Sequence, residues 1–185
     1  ARDRLFQLEI WRRRVTGTMA EIQGPRALDR DIGARLLRFR GNLTKEMTHY
    51  HPEGPQIINA FVDGINAYIR ETEQHPKLLP LEFRLLEIVP QSWTPEIVIS
   101  RIGGLFMNLE EEFLTAQRVR SVGATTTLAM LDFYPRDPEL AVAQGLDLDA
   151  IPNTVLKYYT AAGAGVKFRP EDVIAEARAD TTTIA

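Results

Sequence analysis

Cysteine, long apolar runs and an excess of basic charge are all missing from this 185-residue chain. Without cysteine the chain forms no disulfide, no reactive thiol and no cysteine-based zinc site, and neither an oxidising nor a reducing compartment is favoured. No run of about 18 apolar residues occurs, so no membrane-spanning helix is predicted. The net charge of -3 argues against nucleic-acid binding, because phosphate recognition needs a sustained basic surface.

Familiar catalytic motifs are absent too. The chain contains no Ser-His-Asp order, no HExxH, no GxSxG and no phosphate-binding loop. His49 and His51 lie two positions apart at a predicted helix end, where such residues point in different directions. We therefore predict surface histidines and no metal pair, and the residues by themselves define no active site.

Apolar periodicity is what the chain has instead, and it predicts a mainly α-helical fold. Segment 3–24 is predicted to be one amphipathic helix that ends at Gly24-Pro25. Its basic run, Arg12 to Arg14, is predicted to be a solvated face. Segments 29–50 and 56–73 keep the same period and predict two more helices, with Ile32 and Leu36 on the apolar face of the first. The apolar stripe of segment 3–24 consists of Leu5, Leu8, Trp11, Val15, Met19 and Ile22.

The second half of the chain gives weaker signals. Residues 81–90 are short, partly alternating and flanked by prolines, which predicts an extended segment or one strand. Thr94 and Pro95 suit the N-cap and first turn of a helix that we expect to reach about residue 122, with a weak point at Gly103-Gly104. We predict a loop-rich region at about 125–150, shorter helices at about 152–161 and 170–179, and a frayed tail at 180–185. Residues 1–185 are treated as a single piece.

Three sequence blocks carry a resemblance to a known family. The first is DRLFQLEIWRRRVTGTMAEIQG at residues 3–24. The second is PEGPQIINAFVDGINAYI, and the third is LPLEFRLLEIVPQSWTPEIVI. Together they resemble the conserved blocks of the penicillin acylase (penicillin amidase) family over residues 3 to about 120. The remaining third of the chain matches only loosely.

The resemblance implies a role that this chain does not fill alone. Family members are made as one precursor and cut into two chains, and the larger β chain begins with the nucleophilic serine, whose own α-amino group is the general base. This chain then corresponds to most of the small α subunit of an N-terminal-nucleophile hydrolase, and the catalytic residue lies in the partner. The assembled enzyme is expected to have a four-layer αββα core. No organic cofactor is implied.

Further expectations concern the substrate and the location. The implied reaction is hydrolysis of the amide between an acyl group and an amine-bearing nucleus, in β-lactam, N-acyl homoserine lactone or lipopeptide substrates. The chain begins in a charged helix with neither Met nor a signal peptide, so we expect a processed or partial N-terminus. Export to the periplasm or outside the cell is a further implication of the resemblance. The alternative from a different class is a non-catalytic helical interaction or scaffold module.

The resemblance also implies an acyl pocket in segment 103–112, GGLFMNLEEE. Penicillin G acylases have G-T-M-A-N-R-F there, and aligning on Asn108 makes Leu105, Phe106, Met107, Leu109 and Glu110 the candidate pocket residues. Leu109 and Glu110 replace the Arg and Phe of those enzymes, so longer acyl chains stay open as substrates. Ile102, Phe106 and Leu109 also keep helical spacing and fit an ordinary core equally well.

A structural Ca²⁺ between the chains is the one metal that the resemblance implies. Family members use a first-chain glutamate as a ligand, and matching the E-h-x-x-A rhythm selects Glu112, with Glu111 as the alternative. A carboxylate is a suitable donor for this hard cation. A solvated helix face explains three adjacent acidic residues equally well.

Overall fold

A computed structural model describes residues 1–49, 51–100, 108–130 and 141–178. Helices and connecting loops make up these ranges and no β-strand occurs in them, which confirms the predicted mainly helical chain. No helix within the same ranges has the length and apolar character needed to cross a membrane. The α-helices are α1 (Leu5–Thr16), α2 (Ala20–Gln23), α3 (Leu28–Leu37), α4 (Leu43–His49), α5 (Gly54–Gln74), α6 (Leu81–Leu85), α7 (Pro95–Ile99), α8 (Asn108–Val122), α9 (Ala124–Met130), α10 (Lys157–Gly163) and α11 (Ala175–Arg178). Short 3-10 helices occupy Arg2–Arg4, Gly24–Ala27, Pro76–Leu78 and Pro170–Asp172.

The chain divides into two compact units. The first unit comprises Ala1–Ile102 with Tyr158–Ala185, and the second comprises Gly103–Lys157. In the region predicted to be loop-rich, α9 occupies the beginning and residues 141–150 form no helix. Residues 131–140 and the predicted tail at 180–185 lie outside the described residues.

Helix α5 is the longest helix in the described part of the chain, and it confirms the helix predicted at 56–73. Its period of three and four residues turns Val62, Ile65 and Ile69 towards one buried face. Apolar side chains from the flanking segments cover that face and form the core of the first unit. The buried cluster consists of Leu5, Val15, Val62, Ile65, Ile69, Phe83, Trp93 and Ile97.

Asn66 fixes the loop before α7 to this core. Its side-chain amide donates to the carbonyl oxygen of Trp93 at 3.0 Å, and its Oδ1 accepts from the Trp93 N–H at 2.8 Å. The Trp93 ring is buried and meets Trp11 edge-on, with ring centroids 5.4 Å apart. Thr94 has the extended backbone of an N-cap and Pro95 starts α7, as predicted, although no side-chain hydrogen bond caps the helix.

The single helix predicted over residues 3–24 is wrong, because the chain breaks at Gly17. This glycine has a left-handed φ of 67° and its N–H donates to the carbonyl of Arg13, which ends α1. A Cβ at Gly17 would lie 2.7 Å from the carbonyl oxygen of Asp31. The Asp31 carboxylate in turn accepts from the N–H groups of Met19 at 2.9 Å and Ala20 at 2.7 Å. These hydrogen bonds to a residue far along the chain outweigh the continuous apolar period.

The basic run of α1 is not the predicted solvated face, since Arg12 and Arg13 are buried. Glu9, which is 1% exposed, accepts hydrogen bonds from Arg12 Nε at 3.0 Å and Nη2 at 2.8 Å. Arg13 Nε lies 2.8 Å from Glu9 Oε1 as an ion pair without hydrogen-bond geometry, and Arg13 Nη1 donates to Glu21 at 2.7 Å. The N–H of Gln91 also donates to Glu9, at 3.1 Å. Burial is possible because each charge has an opposite partner.

Segment 29–50 is not the one helix that its period predicts. Helix α3 ends at Leu37, residues 38–42 are not helical, and α4 begins at Leu43. The predicted apolar face is largely exposed, with Ile32 at 40% and Leu36 at 57%. Gly33 is buried instead, because it packs against the backbone of Tyr158, where a Cβ would lie 2.0 Å from the carbonyl oxygen. The small residue, and not the large apolar ones, determines which face of α3 is covered.

The extended segment predicted at 81–90 is wrong in its first half, which is α6. Phe83 on this short helix is 1% exposed and its carbonyl accepts from the N–H of Ile88, closing the turn around Glu87, whose φ is 50°. The helix expected to run to about residue 122 ends as α7 at Ile99. Residues 101–107 are outside the described ranges, and α8 begins at Asn108.

The C-terminal segment of the first unit returns to α2 and the turn after it. The helix predicted at 152–161 begins later, as α10, and the one predicted at 170–179 is the 3-10 helix Pro170–Asp172 followed by α11. The Gln23 amide donates to the carbonyl of Lys167 at 2.9 Å, and Arg26 forms an ion pair with Asp172.

The pKa of Asp172 lies below its usual value. Burial raises this pKa, but the hydrogen bonds that Asp172 accepts from Arg26 and from the Arg169 N–H, together with the positive charge of Arg26, lower it by more.

Candidate functional site

Helix α8 organises the described part of the second unit. Acidic Glu110 and Glu111 lie in its first turn and basic Arg120 in its last, an order that suits the helix dipole. Gly123, with a φ of 83°, donates its N–H to the carbonyl of Val119 and ends the helix. Helix α9 then follows directly.

Arg120 attaches the segment after α9 to α8. Its guanidinium donates to the carbonyl oxygens of Leu148 at 3.4 Å and Ile151 at 3.0 Å, and to Asn153 Oδ1 at 2.7 Å. Gln117 donates to the same Asn153 oxygen at 3.1 Å. These bonds hold residues 148–153 beside the C-terminal half of α8.

A cavity of about 230 Å³ lies between α8 and residues 141–148. For comparison, a cavity of about 150 Å³ lined by apolar side chains stays dry and binds benzene. The lining is almost entirely aliphatic, with one carboxylate and one hydroxyl, an arrangement that suits an apolar ligand group. The lining residues are Glu112, Thr115, Ala116 and Val119 from α8, and Ala141, Val142, Ala143, Leu146 and Leu148 from the segment that follows.

The predicted acyl-pocket residues fall largely outside this cavity. Leu105, Phe106 and Met107 are outside the described residues. Leu109 is 44% exposed, Glu110 is half-buried and interacts with another group, and neither lines the cavity. The pocket assignment for these five residues therefore stays a prediction.

Glu112 is the predicted site residue that the structure does bring to the cavity. It is exposed and has no hydrogen bond or ion pair among the described residues, so its carboxylate is available as a hard oxygen donor. The described ranges contain no group of three or more His, Asp or Glu side chains able to hold a metal ion. Ca²⁺ takes six to eight oxygen ligands, so Glu112 is suited to be one ligand of a site whose other oxygen ligands come from elsewhere.

Comparison with known protein families decides which family this arrangement belongs to. The model of the penicillin amidase family matches residues 1–158, which includes both α1 and the whole of α8. The chain belongs to the penicillin amidase family. This confirms the resemblance that the three sequence blocks carry.

Individual penicillin amidase relatives are similar over different lengths. The chain is 33% identical over 96 residues to penicillin G acylase of Escherichia coli, which covers 51% of this chain and 11% of that protein. It is 34% identical over 109 residues to penicillin acylase 2 proenzyme of Pseudomonas sp. (strain SE83), covering 58% and 14%. It is 27% identical over 157 residues to acyl-homoserine lactone acylase QuiP of Pseudomonas aeruginosa, covering 80% and 18%. The chain therefore spans less than a fifth of the length of these relatives.

Sequence reasoning missed most of the cavity wall. Thr115 and Val119 belong to α8, which was predicted to be helical. Helical periodicity alone does not distinguish a face that lines a cavity from a face that packs in the core. Residues 141–148 lie in the region predicted to be loop-rich and follow no helical or strand period. The available signal was their composition, since AVAQGLDL is more apolar than an ordinary solvated loop.

Proposed function

We propose that this chain is the small subunit of an amidohydrolase that cleaves the amide between an acyl side chain and an amine nucleus. Membership of the penicillin amidase family supports the proposal, and each of the relatives named above is called an acylase. The larger partner chain, from the same precursor, carries an N-terminal serine whose α-amino group takes the proton from its hydroxyl. Donors of the partner stabilise the oxyanion that forms.

The contribution of this chain is to bind the acyl group. The observation that carries this step is the aliphatic cavity along α8, which lies inside the region that matches the family. Burying an acyl chain against Val119 and Leu146 removes apolar surface from water and so contributes to binding. Its volume of about 230 Å³ exceeds that of the benzene-binding cavity of about 150 Å³ and is compatible with a medium-length acyl chain or an aromatic ring.

The proposal also includes the predicted pocket residues. Phe106 and Met107 come directly before Asn108 in the sequence, and Leu109 is in the first turn of α8. Leu109 and Glu110 stand where penicillin G acylases have Arg and Phe, so we propose that the preferred acyl group differs from phenylacetyl. N-acyl homoserine lactones, lipopeptides and β-lactams with other side chains are the substrate classes to test.

Calcium and export complete the proposal on the strength of the family resemblance. Glu112 would supply one ligand of a structural Ca²⁺ whose remaining ligands come from the partner chain, and the ion would tie the two chains together. The enzyme would be periplasmic or secreted. Fractionating cells that express the complete coding sequence, with cytoplasmic and periplasmic marker enzymes, tests the location.

Filling the cavity tests its role in acyl binding. In protein expressed from the complete coding sequence, we expect Val119→Trp to lower kcat/KM for decanoyl amides by roughly 10- to 200-fold, with a smaller loss for acetyl amides. Arg118→Trp is the matched control, because Arg118 is the neighbouring exposed residue of α8 and does not line the cavity. Equal losses for short and long acyl groups, or equal effects of the two variants, would remove the cavity from the mechanism.

A further inference from the structure

A cleft between α1 and α7 in the first unit has no part in the proposed function. It encloses about 230 Å³, enough for a small organic molecule, since about 150 Å³ holds benzene. In contrast to the cavity on α8, much of its lining is polar. The polar lining includes Arg12, Thr16, Arg38, Thr94, Glu96 and Ser100.

Ser100 indicates that a polar ligand group belongs in this cleft. The residue is 7% exposed, and its hydroxyl has no hydrogen-bond partner among the described residues. Its N–H is already used, because it donates to the carbonyl of Glu96 at 2.8 Å and closes the last turn of α7. Buried hydroxyls are nearly always hydrogen-bonded, because an unpaired one forfeits its interaction with water.

Arg12 supplies a buried cationic donor to the same cleft. Its Nε and Nη2 donate to Glu9, whereas its Nη1 makes no hydrogen bond within the described ranges. The side chain is 10% exposed, so an anion that reaches it interacts in a region of low dielectric constant. A guanidinium edge of this kind suits a carboxylate, which accepts two N–H groups at once.

Arg38 provides a second guanidinium at the surface of the cleft. Its Nε lies 3.3 Å from Glu96 Oε1, and both side chains are nearly half exposed. Exposed ion pairs of this kind contribute little to stability, so a ligand oxygen replaces Glu96 as the partner of Arg38 at small cost. Arg12 shares Glu9 with Arg13, so its charge is only partly balanced, whereas Arg38 pairs with Glu96. One partly unbalanced guanidinium favours a monoanion over a dianion such as phosphate.

We propose that the cleft between α1 and α7 binds a small monocarboxylate, which accepts hydrogen bonds from Ser100, Arg12 and Arg38. The proposal rests on the residues of the cleft and does not depend on the acylase function. Binding would tie α1 to α7 and so stabilise the first unit by mass action.

Titration with defined carboxylates tests the proposal. Protein expressed from the complete coding sequence is titrated calorimetrically with sodium acetate and sodium benzoate, and with sodium phosphate at matched ionic strength. We expect saturable binding of a monocarboxylate that is tighter than that of phosphate. Arg38→Gln should weaken it roughly tenfold or more and Ser100→Ala by a smaller factor, because the first removes a charged donor and the second a neutral one. Arg70→Gln, which removes an exposed arginine of α5 outside the cleft, should change nothing.

Thermal unfolding without ligand separates binding from a structural role. Because the Ser100 hydroxyl has no partner within the described ranges, Ser100→Ala should leave the melting temperature unchanged or raise it. A lower melting temperature would assign the hydroxyl to the fold and overturn the proposal. No saturable monocarboxylate binding, tighter phosphate binding, or equal binding by Arg38→Gln and Arg70→Gln would overturn it as well.

Discussion

Replacing Glu9 by Gln removes the negative charge of one buried carboxylate and changes the size of the side chain very little. Glu9 is 1% exposed and contacts the guanidinium groups of both Arg12 and Arg13, so its neutralisation leaves two buried cations with too few partners. The glutamine amide keeps an acceptor for the N–H of Gln91 but presents its own N–H groups to an arginine. Breaking a buried ion pair from one side costs about 3–5 kcal/mol, and we expect Glu9→Gln to fall in this range.

Glu21→Gln is the matched control for this prediction. Glu21 pairs with the same Arg13 at 2.7 Å, but its side chain is 63% exposed. Because Glu21 is exposed to water and Arg13 keeps Glu9 as a partner, the same chemical change should cost only about 0–1 kcal/mol there.

Native-state hydrogen exchange reads out this difference locally. Mass spectrometry of peptides that cover α1, in protein expressed from the complete coding sequence, reports the free energy of opening this helix. A loss of 3 kcal/mol or more corresponds to exchange roughly a hundredfold faster or beyond, since 1.4 kcal/mol is a factor of ten. Similar small effects of Glu9→Gln and Glu21→Gln would refute the claim that burial makes the Glu9 network strong.

Four further predictions follow from the fold and the candidate site. Asp31→Ala removes two hydrogen bonds at the start of α2 and should cost about 1–3 kcal/mol, measured by exchange of peptides spanning Thr18 to Gln23. The pKa of Asp172 is lower in the folded chain than in the unfolded chain, so its ionised carboxylate stabilises the fold. This stabilisation should be complete above the unfolded pKa of about 3.9 and should vanish as the pH falls through the lower folded pKa. Asp172→Asn should abolish that part of the pH dependence of unfolding. Phe106→Ala should favour decanoyl over phenylacetyl amides by roughly 1–3 kcal/mol in kcat/KM, and parallel losses on both would make this residue plain core. Glu112→Gln should lower the melting temperature of the assembled enzyme and reduce its further loss with EDTA, whereas equal EDTA sensitivity would exclude the residue as a calcium ligand.

The parts of the fold that the sequence predicts are those with uninterrupted local signals. Helix α5 runs close to its predicted bounds because its apolar period is continuous from Gly54 to Gln74 and both ends have breakers. The start of α7 at Pro95 follows from proline chemistry in the same way. Local propensity and tertiary packing agree at both places.

The failures occur where distant residues decide. Gly17 breaks the first helix because Asp31 accepts the N–H groups that the continuous helix would have used. Glu9 stands three and four residues before Arg12 and Arg13, so the ion pairs were visible in the sequence. The burial of these ion pairs was not visible in the sequence, since it depends on contacts with distant residues such as Gln91, which lies 82 positions away.

The candidate site was predicted only in part, and its predicted pocket and metal residues stay predictions. Glu112 was chosen as a site residue and does line a cavity on α8, yet the opposite wall comes from residues 141–148, which have no period to reveal their packing. Arg120 donates the hydrogen bonds that hold this wall in place. From the sequence pattern alone, Arg120 is predicted only to be an exposed residue at the end of a helix.

The mass and N-terminal sequence of every chain purified from the complete coding sequence test the central claim most directly. The proposal predicts two chains that co-purify: this one, and a larger chain that begins with serine. Amidase activity should require both, and this chain alone should be inactive and prone to aggregate, since several apolar side chains such as Leu36 are exposed. A stable, cooperatively melting monomer of this chain that hydrolyses acyl amides by itself would contradict the account.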